Sequence, residues 1–316
     1  MIRGWVAYWA RTEAPTSLAL VRLLIGLVIL FDLLVLAGNG LVLPLFAPRE
    51  AGGISVILNR DPVPELYRWL PATAATARLA FGLALGLALA FTVGLFTRLS
   101  GLLLVLLLAQ LALMVPPADR GVDMLLRNAV LLLSLSPCGQ ALSLDAWRRT
   151  GSPWGDGRPA PAWARSLLVV QLTLLYSGAG MLKLASSWLP PDWSALWVAL
   201  RDPAYARGDW PWLDRLFPLT QAATAITWLW EWGAPLILLA FWYRQTAERP
   251  GRLRAAFNRA RVLELYLGLG ALFHLGTHLG LNLGIFPFAV LALYPAAVAP
   301  SFWERLRPPL AARPSP

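Results

Sequence analysis

The sequence predicts an all-α fold, a polytopic integral membrane helix bundle of about eight transmembrane helices, with seven as the alternative, plus one short interfacial helix. Three observations carry this. Of 316 residues, 58% are hydrophobic and only 14% charged, against about 45–50% and about 25% in soluble domains. The apolar residues gather into runs near the roughly 20 residues a membrane-crossing helix needs. The basic residues fall between those runs, where they set orientation.

Taken in order, the runs are Ser17–Ala37, Leu79–Phe96, Leu99–Val115, Met124–Leu144, Ser166–Ser186, Gln221–Tyr243 and Val262–Ala299. The last is long enough for two short spans joined near Leu281–Gly284, which gives eight. Only helices suit such runs, because each backbone polar group must be satisfied within its own segment. The first run exceeds a signal-peptide core and carries Arg22 and Asp32, so it reads as a retained span. Between the fourth and fifth runs, S-P-W-G-D-G-R-P-A-P-A is a polar Pro/Gly-rich loop. The segment Leu189–Thr220 holds Trp193, Trp197, Trp210 and Trp212, with Trp188 just before it. Amphipathic rings favour the headgroup level, so a short helix around Trp193–Leu200 is expected to lie in the interface and roof the bundle. Residues 1–302 read as one membrane domain. Residues 303–316, ending R-P-P-L-A-A-R-P-S-P, read as a disordered cytoplasmic tail.

The chain has 27 Lys+Arg for a net charge of +10. No basic patch interleaved with aromatics appears, so a nucleic-acid partner is not expected. With eight spans, 16 arginines fall on one side and 8 on the other, with Arg22, Arg127 and Lys183 inside spans. That bias predicts both termini in the cytoplasm. The single cysteine, Cys138, permits no internal disulfide. A multi-pass protein of the bacterial cell membrane suits these features, with the lipid bilayer as its surroundings. Nothing in the sequence names a protein partner.

Ionisable groups inside spans are costly, face the bundle interior and often mark function. Lys183 is the only lysine, against 26 arginines. It either snorkels to the headgroups or is a desolvated amine able to act as a base. Arginine cannot replace it in the second role, because a guanidinium stays protonated. Ser177, Gly178 and Gly180 upstream leave room for a neighbouring helix or flat ligand. His274 and His278, the only histidines, are spaced i,i+4 on one helical face. Glu264 is roughly on the same side, but no third ligand has motif spacing, so a hydrogen-bonded pair lining a polar cavity is favoured over a metal site. Glu231 and Arg22 are candidate cavity residues or structural ion-pair partners. Asp123 and Arg127, also i,i+4, are expected to pair with each other. There is no phosphate-binding Gly-rich loop, zinc spacing or G-x-S-x-G elbow, so an ATP-driven pump or serine hydrolase finds no support.

Four blocks carry a resemblance. They are P-T-S-L-A-L-V-R-L-L-I-G-L-V-I-L-F-D (Pro15 to Asp32), G-L-F-T-R-L-S (Gly94–Ser100) with A-L-S-L-D (Ala141–Asp145), Y-S-G-A-G-M-L-K-L-A-S-S-W (Tyr176 to Trp188) and F-H-L-G-T-H-L-G-L-N-L-G-I-F-P (Phe273 to Pro287). In order, they resemble the HTTM (horizontally transferred transmembrane domain) family, whose best-known member is the vitamin K-dependent gamma-carboxylase. The resemblance implies a carbon–carbon lyase of carboxylase type, coupling oxygenation of vitamin K hydroquinone to carbon dioxide addition, with Lys183 in the position of the catalytic lysine. It also implies a reduced quinone as cofactor. Tyr176, at the head of the lysine block, joins the candidate cavity residues. The family's adjacent Asn-His pair falls on Gly121-Val122, beside Asp123, and its asparagine after the Phe-His falls on Thr277. The animal enzyme's large luminal domain has no counterpart in this sequence. These departures argue against carboxylation of a protein glutamate and leave a quinol-type or lipid-like small substrate. The alternative class is a non-enzymatic membrane carrier or partner-binding scaffold, although no inverted repeat is visible.

Overall fold

A computed structural model of the chain describes residues 2–55 and 65–306. It divides into two compact units, Met1–Ser166 with Val298–Pro316, and Leu167–Ala297. The first contains α1 (Ile2–Trp9), β1 (Thr12–Glu13), α2 (Thr16–Gly38), α3 (Val42–Phe46), α4 (Glu65–Trp69), α5 (Ala74–Val93), α6 (Thr97–Met114), α7 (Gly121–Leu135), α8 (Leu144–Thr150) and β2 (Ala160–Pro161). The helix α9 (Trp163–Leu182) starts there and runs into the second unit, which holds α10 (Ala195–Arg201), α11 (Phe217–Trp232), α12 (Pro235–Gln245), α13 (Arg252–Arg259), α14 (Val262–Gly280) and α15 (Phe286–Leu291). The last helix, α16 (Pro300–Glu304), belongs to the first unit again. The two-stranded β1–β2 ladder is antiparallel, pairing Thr12 with Pro161.

The protein is a multi-pass membrane protein. Among the described residues α2, α5, α6, α9 and α14 are long and apolar enough to cross a bilayer, and the bent pair α11–α12 adds a sixth if it is one span. The expected count of about eight is not reached by helices of that length among the described residues, and the breaks have local causes. The run expected over Met124–Leu144 ends at Leu135, because Ser136 precedes Pro137 and takes an extended conformation, as residues before proline do. The run Gln221–Tyr243 bends by 57° ahead of Pro235, which has no N–H to continue the ladder. After α14, Leu281 is extended, and Pro287 and Pro295 leave only short helices. The expected tail begins inside α16, and residues 307–316 of it lie outside the described residues.

The long helices of the first unit start and stop on side-chain chemistry. Thr73 caps α5, its Oγ1 accepting from the Thr76 N–H at 3.2 Å. The Asp145 carboxylate caps α6, accepting from the N–H groups of Phe96 at 2.9 Å and Thr97 at 2.8 Å and from the Thr97 hydroxyl at 2.7 Å. At the start of α7 the Arg120 N–H and guanidinium donate to Asp123, and the guanidinium also donates to Asp32 at 2.6 Å. These carboxylates, Asp123 first, push the Arg120 pKa above its ordinary value. Arg127 therefore does not pair with Asp123 as its spacing suggested. It grips Asp119 through both carboxylate oxygens, at 2.7 and 2.8 Å. Where α2 crosses α5, Gly26 meets Thr92 so closely that a Cβ would collide with its hydroxyl oxygen, a small-residue contact of the kind that lets membrane helices approach.

Arg22 on α2 is fully buried in this unit, not in a ligand cavity. Its guanidinium donates to the carbonyls of Cys138, at 3.3 Å, and Leu142, clamping the turn after α7. Gly94 makes room for it: a Cβ there would strike the Arg22 guanidinium and the Ser143 side chain, and the residue sits at φ +69°. Gly94→Ala adds the left-handed penalty of about 1–2 kcal/mol to that collision. The variant is expected to melt well below wild type in a thermal scan of the detergent-solubilised protein. An unchanged midpoint would show that the clamp relaxes freely.

Candidate functional site

All the elements of the site belong to the second unit. Lys183 stands one residue past the end of α9, its N–H returning to the Gly180 carbonyl at 3.3 Å. Glu231 lies in the last turn of α11. Gly180 faces the end of α11 so closely that a Cβ would lie 3.0 Å from the Glu231 Cβ and 3.1 Å from the Trp232 nitrogen. Any larger residue would separate the two helices. At that spacing the Lys183 ammonium donates to both oxygens of the Glu231 carboxylate. The carboxylate side chain is 4% exposed and the lysine side chain 20%. The ammonium also lies 4.7 Å from the centroid of the Trp188 ring, a cation–π distance.

The pair sits in the wall of a cavity of about 790 Å³. Its remaining lining is almost wholly apolar, with Trp210 and Trp212 from the tryptophan-rich segment among it. The expected short helix appears as α10, and it too lines the cavity. The Leu196 N–H donates to Thr224 Oγ1 of α11 at 3.1 Å, and the Gln221 amide donates to the Asp192 carbonyl at 2.7 Å. At the end of α14 the chain zips to the segment after α10. The Arg207 N–H donates to Gly280 at 3.0 Å, the Asn282 N–H to Tyr205 at 2.6 Å, and the Arg207 guanidinium to the Leu281 carbonyl at 3.0 Å.

Two further polar residues, Tyr176 and His274, line the same cavity. The Tyr176 hydroxyl of α9 lies 2.8 Å from His274 Nε2 of α14 and 2.7 Å from the Tyr294 hydroxyl. His274 is fully buried, and its Nδ1 has no hydrogen-bond partner among the described residues. Gly270 gives the group its space, since a Cβ there would run into the Tyr294 hydroxyl and come within 2.6 Å of Trp230. Trp230 stacks on Tyr266 at 5.2 Å and packs against Tyr176 at 4.4 Å.

The structure thus brings together four of the six candidate residues, Lys183, Glu231, Tyr176 and His274. Two fall elsewhere. Arg22 holds backbone carbonyls in the first unit. His278 is outside the cavity lining, 3.1 Å from the Arg207 guanidinium through Nδ1. The two histidines therefore share no partner: one turn apart, one faces the interior and the other the zipped segment. Among the described residues no group of three metal-binding side chains forms. Tyr294 is the functional candidate that sequence reasoning missed. An aromatic residue in an apolar run carries no signal of its own, and only its hydroxyl's partners reveal it.

A family model described as HTTM domain matches residues 10–208, more than half of the chain and including Lys183. No curated protein and no solved structure matches. Glu231, His274 and Tyr294 lie beyond the matched region, within the same second unit as Lys183. By the extent of that match, which takes in the first three of the four blocks, the chain belongs to the HTTM family.

Proposed function

We propose that this protein is a membrane enzyme of carboxylase-like or quinol-linked chemistry, with Lys183 as base toward a lipid-like or quinol-type small molecule. The observation that carries the reading is the meeting of the only lysine with a buried carboxylate in the wall of an apolar cavity. The volume falls within the range of about 300–1,000 Å³ typical of small-molecule sites. Aromatic walls, a tyrosine hydroxyl and the unpartnered His274 Nδ1 fit an amphiphile with a flat ring and one or two polar oxygens. A reduced quinone bound there would supply an oxidisable hydroxylated ring.

The chain's own residues divide the work. Lys183 and Glu231 hold one proton between them as ammonium and carboxylate. When an apolar ligand displaces water, separated charge loses its solvation, and the proton moves from Nζ to the carboxylate. The neutral amine can then take a proton from the ligand at Nζ. Tyr176 and His274 orient a ligand oxygen, and Tyr294, outside the lining, holds the Tyr176 hydroxyl in place. The arginine bias supports a cytoplasmic N-terminus and a bacterial inner-membrane setting.

The completed ion pair favours a second reading, a non-enzymatic carrier or scaffold in which the pair only fixes α9 against α11. Native mass spectrometry of the protein for a co-purified quinone, with oxidation of a reduced short-chain naphthoquinone by dissolved dioxygen in nanodiscs, separates the two. Binding with turnover supports the enzyme. A bound ligand that is never turned over supports the carrier. His274→Ala is expected to release the ligand, and retention by that variant would remove His274 from the site.

A further inference from the structure

The first unit carries an open cleft of about 490 Å³ beside the N-terminal end of α6. Arg98 and Arg149 line it with Thr97 and Gln140. The Arg148 guanidinium lies 5.3 Å from the ring of Phe96, another lining residue. All three arginines are exposed, and among the described residues none has an ion-pair partner. Nearby carboxylates are already engaged. Asp145, which also lines the cleft, spends its oxygens on capping α6, and Asp156 pairs with Arg158 at 2.9 Å while also feeling the charge of Arg149. Gln140 leaves a buried amide oxygen without a partner among the described residues. Among the described residues the cleft thus offers guanidinium groups whose hydrogen-bond donors are unspent.

Its surroundings are apolar. Phe96 and Leu99 are 60% and 59% exposed at its edge. From there α6 presents Leu103, Leu106 and Leu113 outward. Leu99 to Leu113 spans about 21 Å at 1.5 Å per residue, more than the half-thickness of about 15 Å of a bilayer's hydrocarbon core. Trp147 of α8 is exposed beside the arginines, as headgroup-level tryptophans are.

We propose that this cleft binds the headgroup of an anionic phospholipid of the phosphatidylglycerol type, with its acyl chains along the exposed face of α6. Guanidinium groups match phosphodiester oxygens bidentately, and basic pockets at one end of a helix bundle take such headgroups. This site uses none of the residues of the lysine cavity and stands whether or not the enzyme reading holds.

The test is native mass spectrometry of the full-length protein from mild detergent, titrated with phosphatidylglycerol and with phosphatidylcholine of matched chains. Phosphatidylglycerol is expected to bind in preference. The Arg98→Gln/Arg149→Gln variant is expected to lose about 25-fold in affinity, at roughly a fivefold loss per arginine. Arg78→Gln removes an exposed charge at the opposite end of α5 from the cleft and is expected to change affinity by less than about twofold. Thermal melting checks that each variant folds. If the double variant does not, Arg149→Gln alone on the surface of α8 is expected to show the single-arginine loss. Equal binding of the two lipids, or unchanged affinity in the arginine variants, overturns the proposal. So does displacement of the lipid by millimolar inorganic phosphate, which would mark a free-anion site instead.

Discussion

Lys183→Arg is expected to lower turnover by about 10²–10⁴-fold, the usual contribution of a positioned acid–base group, while the melting temperature changes little. The reason lies in what the pair must do. Arginine keeps the positive charge and the ion pair to Glu231, and it can still lie over Trp188. It cannot give up its proton to Glu231 at any accessible pH. A site that needs only charge and packing therefore tolerates the change, whereas a site that needs a neutral amine fails. The measurement is oxidation of a reduced naphthoquinone by dissolved dioxygen, catalysed by wild type and variant at matched loading in nanodiscs, with ligand occupancy read by native mass spectrometry. Full activity in Lys183→Arg ends the base assignment. Loss of activity together with loss of binding would move Lys183 from proton transfer to recognition.

Glu231→Leu is expected to destabilise the protein by about 3 kcal/mol, at the low end for breaking a buried pair, because the orphaned ammonium keeps a fifth of its surface exposed. Removing both partners should behave differently. A Lys183→Met/Glu231→Leu variant leaves no unpaired charge, and such exchanges are often near neutral for stability. Chemical denaturation of the three proteins in one detergent gives the cycle. Restored stability with absent turnover would separate the pair's structural contribution from its chemistry. If the double variant is no more stable than Glu231→Leu, the loss comes from packing at the α9–α11 contact instead.

Much of the fold was legible because its causes are local. Apolar runs, the proline after Ser136 and the proline of α12 are all visible in the sequence. Run length alone ignored those breakers, so it set the expected count above the five or six long apolar helices among the described residues. Lys183 was legible through its solitude, since its residue type had no compositional reason to be there. Its partner was not, because Glu231 lies 48 positions away and nothing in either segment specifies their meeting. Arg22 and Glu231 look alike as buried charges in sequence. One turned out to hold a loop by its carbonyls and the other to face a cavity. The histidine pair was misread in part because a shared helical face does not guarantee a shared environment: His274 is packed against Tyr176 and Phe286, while His278 meets Arg207.

The Lys183 ammonium lies 4.7 Å from the Trp188 ring centroid, and no other lysine exists in the chain. Feeding isotopically labelled lysine would therefore place a single labelled side-chain nitrogen in the whole protein. The aromatic ring current should shift its resonance away from that of a free amine. Proton transfer to Glu231 or entry of a ligand would then appear as movement of one isolated NMR peak. The molecule carries its own reporter at the position where its chemistry is proposed to occur, with no engineered label to perturb it.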